Sequence, residues 1–304
     1  MLPILPNIPI QKINADVLSK NGISLFIKRE DLIHPEISGN KWRKLKYNLS
    51  EAKETGCKTI ITFGGAYSNH IAATAAAGNK VGFATHGIIR GEEILPLNST
   101  LQLAKNNGMK FSFISREAYK LKTDAEVVQS IANSVDTPFI IPEGGSNLLG
   151  VLGCEEITSS EIDYDIFISA CGTGSTLAGM INGINDNQYC IGFPALKNAG
   201  FLYEEINGFL NSKKENWHLE LDYHFGGYAK KQPELIEFIT DFWNDYQIKL
   251  DPIYTSKAMF GLFDLIKRGA IKDKKILFIH TGGLQGVAGF ESRYNVTLFP
   301  EIKS

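Results

Sequence analysis

From Ser24 onward the chain alternates short β-branched runs with amphipathic stretches, and this alternation constrains the fold more than any other feature. "SLFIKRE" has the pattern of a strand, and "KWRKLKYNLSEAKETG" that of a helix stopping at Gly56. "KTIITF" and "VGFATHGII" are strands on either side of a small-residue helix, "SNHIAATAAAGNK". A helical "PLNSTLQLAKNNG", a strand "KFSFI", a helix over 123–134 and the strand and turn "PFIIPEGG" follow. "NLLGVLGCEEITSSE" leads to the strand "DIFISA", a Gly-rich turn with a helix, "QYCIGFPA", two further helices, "KILFIH" and "TGGLQG". Strands this apolar, separated by helices, form parallel sheets covered on both faces. The expected fold class is α/β: two domains with mainly parallel open sheets covered by helices.

Two Gly-rich bends, "ISGN" near 40 and "EGGSNLLG" near 145–150, bracket the central strand–helix pairs. They predict a larger domain from 1–42 and 151–304 and a smaller inserted α/β domain over 43–150. A cleft between two such domains is a preferred place for a small-molecule site.

With 304 residues, 43% of them hydrophobic, the chain has material for a full core without staples. A net charge of −2 gives no electrostatic case for nucleic acid or an anionic membrane. No apolar run reaches the roughly 18 residues of a spanning helix. "MLPILPNIPI" is broken by prolines and has no basic region, so it makes a poor signal peptide. Cys57, Cys154, Cys171 and Cys190 are scattered with no CxxC pair. Reduced thiols and a cytoplasmic location are expected.

Gly-rich turns follow four strands: "FGGAYSNH", "PEGGSN", "ACGTGSTLAG" and "HTGGLQG". Open α/β sheets bind ligands outside the carboxyl ends of their strands. In the third turn, Gly172 and Gly174 let backbone amides converge, and Thr173, Ser175 and Thr176 add hydroxyls. With a helix start behind it, the turn forms a phosphate cup. It is no dinucleotide fingerprint, because Leu177 replaces the third glycine, and no Gly-Lys-Ser/Thr follows. HExxH and GxSxG are absent, and the six histidines show no metal-ligand spacing.

"SGNKWRKLKYNL" crowds Lys41, Lys44 and Lys46 onto a helix start. Cations there oppose the helix dipole by a few tenths of a kcal/mol, ~0.3 or more, unless an anion is present. A lysine on a Gly-Asn turn, a phosphate cup and a two-domain α/β chain together suggest pyridoxal phosphate. That cofactor needs a lysine amine, a phosphate anchor and groups around its ring.

The stretches "IKREDL", "SGNKWRKL", "YSNH", "PEGGSNLLGVLGCEEI", "CGTGST", "LDPIYTSKAMFGLFDLI" and "LFIHTGG" occur in order along nearly the whole chain. On them the sequence resembles the 1-aminocyclopropane-1-carboxylate deaminase / D-cysteine desulfhydrase family, within the tryptophan-synthase-β-like fold type. Residues 86–122 and 195–230 match weakly.

The resemblance implies that Lys41 bears pyridoxal 5'-phosphate on its ε-amine and that Lys44 and residues 172–176 hold the phosphate. Asn69 would bond the ring oxygen. Ser68 would sit over the substrate as proton carrier or nucleophile, with His70 beside it among the substrate-binding residues. Tyr254 would approach the ring or the substrate Cα, and Thr255 would meet the pyridine nitrogen near Thr281. Tyr228 is a looser match to a substrate-facing tyrosine. Ser68 and Asn69 also suit a helix N-cap, and Trp42 suits packing. Lys41, once free, would remove a Cα proton, for which burial or Lys44 must depress its pKa.

Relatives resembling the ring-opening deaminase carry Tyr-Glu and a Leu where this chain has Tyr254-Thr255 and Thr281. The departure points to D-cysteine desulfhydration, giving pyruvate, sulfide and ammonia. Ring opening of aminocyclopropane carboxylate, a serine or threonine dehydratase activity, and a non-catalytic binding protein stay open. A small amino-acid substrate and a homodimer are implied, with no nucleic-acid or membrane partner.

Overall fold

The computed structural model describes residues 7–122, 124, 130, 131, 133 and 135–301. In chain order the strands are β1 (Ile10–Ile13), β2 (Ser24–Lys28), β3 (Thr59–Gly65), β4 (Ala84–Arg90), β5 (Lys110–Ile114), β6 (Pro138–Ile141), β7 (Ile166–Cys171), β8 (Tyr189–Pro194), β9 (Trp217–Leu219) and β10 (Lys275–Ile279). The helices are α1 (Asp16–Lys20), α2 (Asn40–Glu54), α3 (Asn69–Val81), α4 (Ser99–Asn106), α5 (Arg116–Tyr119), α6 (Leu148–Glu155), α7 (Ser175–Gly183), α8 (Leu202–Asn207), α9 (Pro233–Tyr246), α10 (Thr255–Lys267) and α11 (Val287–Tyr294).

Two sheets draw on separate parts of this chain. A six-stranded sheet has the order β1-β2-β10-β7-β8-β9, and a four-stranded sheet the order β5-β4-β3-β6. Every pairing is parallel except β1 with β2. The central strands explain this. All six residues of β7 are buried, as are the first six of β3, so helices must cover both faces of each sheet. Leu25, Ile168, Phe278, Met259 and Leu262 share the core between the larger sheet and α10. Ile60, Ala73, Trp42 and Leu49 join the smaller sheet to α2 and α3. Among the described residues no helix is long and apolar enough to cross a membrane.

The fold departs from the sequence reading at its margins. The strand expected over "SLFIKRE" ends at Lys28, and Glu30–Leu32 turns as a 3-10 segment. β1, β9 and α1 were not expected; they hold only four, three and five residues, too short for a periodic signal. Most of the helix expected over 123–134 lies outside the described residues.

The carboxyl ends of five strands converge. β3 runs into Gly65–Ser68, β6 into Glu143–Gly145, β7 into Gly172–Gly174, β10 into Thr281–Gly283, and β4 ends at Arg90. Residues of all five ends line one cavity.

Candidate active site

The cavity has a volume of ≈ 480 Å³, enough for a cofactor-sized ligand. One wall is the start of α2. Gly39 precedes that helix at φ +64°, and a Cβ there would lie 1.9 Å from the Thr281 carbonyl oxygen. Only glycine lets the two loops meet, and their meeting turns Lys41 and Lys44 inward. Arg43, between them, faces away to the buried carboxylate of Glu30, with Nε–Oε2 at 3.0 Å and Nη2–Oε1 at 2.8 Å. Breaking such a pair by losing one partner costs about 3–5 kcal/mol. The start of α2 is therefore anchored independently of any ligand.

Lys41 lines the cavity, and its pKa is lowered to about 7, first by burial and then by the neighbouring Lys44 charge. The amine is thus largely neutral at a pH where an exposed lysine is not. Lys44 is 2% exposed; its Nζ donates to Ser175 Oγ at 2.7 Å and to the Gly144 carbonyl at 3.1 Å. Burial pushes its pKa down as well. Two amines in one wall form a centre that an anion would relieve.

The facing wall is the β7–α7 turn. Gly174 caps α7 at φ +79° and offers no side-chain acceptor to the first helical N–H groups. Gly172, Thr173, Gly174 and Thr176 line the cavity, and Asn40 Nδ2 holds Thr176 Oγ1 at 2.8 Å. Ser175 does not line it; that hydroxyl is fully buried between Lys44 and Thr173, at 2.7 and 3.2 Å. Its place is behind the cup, holding Lys44 toward it.

A third wall starts α3. Ser68 is the N-cap and accepts from the Ile71 N–H at 3.4 Å. The cap does not withdraw it from the cavity wall, which Ser68, Asn69 and His70 all line. Asn69 Oδ1 and His70 Nδ1 are buried without a hydrogen-bond partner. Orphaned polar atoms of this kind signal a ligand.

Tyr254 and Tyr228 cover the cavity with ring centroids 6.0 Å apart, edge to face. Burial, then Tyr228 and Asp251, raise the Tyr254 pKa well above its usual value, so the phenol keeps its proton. Thr281 lines the cavity beside Gly282 and Gly283. Thr255 does not. It is fully buried, and its hydroxyl donates to Asp251 Oδ2 at 2.7 Å. The expectation that Thr255 meets a ring nitrogen is corrected: its proton is committed to a carboxylate behind the wall.

Sequence reading missed Ser38, Asn40, Arg90 and Glu143, which also line the cavity. Their signal was positional. Arg90 and Glu143 stand at or just past carboxyl ends of strands, and Ser38 and Asn40 flank the glycine that faces Thr281. Trp42 packs in the core, 1% exposed, as expected.

A near-neutral lysine beside a second buried amine, an uncapped Gly-rich helix start and orphaned acceptors fit a phosphorylated carbonyl cofactor. The fold and cavity thus define a lysine-dependent cofactor enzyme of the open α/β class. The chain belongs to the pyridoxal-phosphate-dependent enzyme family, whose model matches residues 4–282. It is 31% identical over 310 residues to the bifunctional D-cysteine desulfhydrase/1-aminocyclopropane-1-carboxylate deaminase, mitochondrial, of Arabidopsis thaliana, covering 92% of this chain and 77% of that protein. A D-cysteine desulfhydrase of Klebsiella pneumoniae is 28% identical over 288 residues, with 86% and 87% covered. A solved structure described as an ACC deaminase homologue superposes with a TM-score of 0.82 at 30% identity, over 94% of this chain and 92% of that one.

Proposed function

We propose that the enzyme performs β-elimination on a small amino acid, D-cysteine foremost, releasing pyruvate, sulfide and ammonia. The observation that carries this is the Lys41 amine, held at a pKa of about 7 inside the cavity. A lysine so depressed is a competent base at neutral pH, and β-elimination begins by removing a Cα proton. Pyridoxal phosphate, when bound, draws electron density from Cα and makes that proton acidic. Lys44 and the α7 start hold its phosphate. The start of α3, with Ser68 and Asn69, takes the substrate carboxylate. Lys41 takes the Cα proton, the Cβ–S bond breaks to release the thiolate, and water hydrolyses the freed aminoacrylate to pyruvate and ammonia. The preference for the D-isomer rests on the names of the two desulfhydrase relatives.

Aminocyclopropane carboxylate has no Cα proton, so its ring opening would use Lys41 differently. One observation favours this second reading: Tyr254, which lines the same cavity as Ser68, keeps its proton, a donor for the opening ring. A keto-acid and sulfide assay across D- and L-cysteine, D-serine, β-chloro-D-alanine and aminocyclopropane carboxylate separates the readings. Pyruvate and sulfide from D-cysteine are expected. Oxobutyrate formed from the cyclopropane at an equal or higher rate would replace the first reading with the second.

The proposal includes a cytoplasmic homodimer with domains 1–42 plus 151–304 and 43–150. The four cysteines, all free, support the first part. The separation of the sheets along the chain supports the domain division. Scattering mass in solution tests the dimer.

A further inference from the structure

We infer that His280 is a positioning residue: its imidazole joins the segment before Tyr254 to the Thr281–Gly282 peptide and, through that peptide, holds Lys41 in place. This rests on the reading of Lys41 as the proton-moving amine.

His280 follows β10 and is fully buried. Its Nε2 lies 2.7 Å from the Lys249 carbonyl oxygen, which can only accept, so Nε2 carries the proton. The Gly282 N–H points at Nδ1 over 3.3 Å, which requires a lone pair there. Two separate contacts thus assign the same neutral tautomer. Asp31 Oδ1 stands 3.6 Å from Nδ1, too far for a hydrogen bond. Both Asp31 oxygens already accept from Arg29, at 2.9 and 2.7 Å. That carboxylate therefore draws no proton onto Nδ1.

The Gly282 N–H and the Thr281 carbonyl belong to one planar peptide and point in opposite directions. His280 takes the N–H, and the Asn40 N–H donates to the carbonyl at 3.2 Å. A Cβ on Gly282 would lie 2.9 Å from Ser38 Oγ, and one on Gly39 1.9 Å from the Thr281 oxygen, so the two loops meet without slack. Rotating the Thr281–Gly282 plane would break the Asn40 bond as well. Asn40 is the first residue of α2, one before Lys41. The other end of the ring reaches Lys249, two residues before Asp251, whose carboxylate accepts the Tyr254 and Thr255 N–H groups. One imidazole thus ties the Tyr254 side of the cavity to the Lys41 side from behind the wall.

The first test needs no catalysis. In full-length protein labelled with nitrogen-15, at mildly alkaline pH, the His280 ring should show a protonated Nε2 and a bare Nδ1. A protonated Nδ1 overturns the inference.

The second test separates the two arms of the ring. His280→Asn keeps an amide oxygen near Nδ1 to accept from Gly282 but gives up Lys249. His280→Gln keeps a donor near Nε2 for Lys249 but gives up Gly282. Each loses one hydrogen bond, so a merely structural role would lower both melting temperatures and leave Lys41 alike in the two. Positioning predicts a difference. In protein freed of cofactor, the midpoint for modification of Lys41 by an amine reagent should rise by about one pH unit in His280→Gln, as the amine regains water. In His280→Asn it should stay at about 7. Equal midpoints in the two variants overturn the inference. If Lys41 of the unaltered protein titrates as an ordinary lysine, the reading of Lys41 fails, while the tautomer still decides whether His280 holds the Thr281–Gly282 peptide.

Discussion

The Thr255 hydroxyl donates to Asp251 Oδ2 over 2.7 Å and accepts from the Asp251 backbone N–H over 2.8 Å. The same carboxylate accepts the N–H groups of Ile253, Tyr254 and Thr255. Thr255 and Asp251 are thus two halves of one cap on α10, and they aim Tyr254 into the cavity. Thr255→Val removes one donor and strands one N–H, so it should lower stability by about 1–3 kcal/mol, read from the denaturant midpoint. The absorbance of the bound cofactor should stay unchanged. Thr281→Val, in the cavity wall, should alter it. Thr255→Glu should destabilise rather than recruit ring-opening chemistry, since it sets a second carboxylate against Asp251 in a buried site. A stable Thr255→Glu protein with raised oxobutyrate production would refute this account.

Lys41 should titrate near neutrality in protein freed of cofactor. Only the neutral amine is nucleophilic, so modification of Lys41 by an amine reagent should reach half its maximal rate at about pH 7. Lys44→Met removes the neighbouring cation and should move that midpoint upward. The same shift sets a stability trend. The folded pKa lies below the unfolded one, so the unfolded chain binds more protons between about 7 and the usual lysine value. Lys41 therefore destabilises fully below pH 7, and the penalty lifts as pH rises through that window. A midpoint above pH 9 would contradict the burial argument.

Much of this site was legible in the sequence because it is built from backbone constraints. Gly39 and Gly174 stand where a side chain would collide and φ is positive, and such positions announce themselves as glycines beside strand ends. Lys41 and Lys44 follow Gly39 in sequence, and Ser68 and Asn69 follow the glycine-ended strand β3, so their convergence could be anticipated. Thr255 was misassigned because its neighbour Tyr254 lines the cavity and α10 turns the next side chain inward, toward Asp251. The placement of Ser175 behind the cup is likewise a matter of which way one side chain leaves a turn. Arg90 and Glu143 come from strands far apart in sequence, and only the parallel order of β3, β4 and β6 brings them to one rim.

The cup should depend on Gly174. At φ +79° an alanine is strained, and its Cβ would stand 2.8 Å from Ile206 Cγ1 on α8. Gly174→Ala should cost about 1–3 kcal/mol of stability from backbone strain and overpacking. As the turn shifts, it should also weaken cofactor retention. Equilibrium dialysis against pyridoxal phosphate measures this; undiminished affinity would place the phosphate elsewhere.

Lys257 should govern the loop that carries Tyr228. Its side chain is 1% exposed, and Nζ donates to the His224 and Gly227 carbonyls, each at 2.8 Å. Between and beside those carbonyls, Phe225, Gly226, Gly227 and Ala229 all have positive φ. Non-glycine residues held there cost of order 1 kcal/mol each, so the loop needs an external restraint. The ammonium supplies it from α10, the helix that begins beside Tyr254, and so ties the two cavity tyrosines together. Lys257→Met removes both bonds while keeping the apolar stem. Tyr228 should then lose its register against Tyr254. We expect KM for the amino acid to rise about tenfold, equivalent to about 1.4 kcal/mol, with cofactor affinity unchanged because the phosphate cup lies on other strands. A lowered melting temperature with KM unaltered would show that the clamp serves the fold alone and that Tyr228 does not touch the substrate.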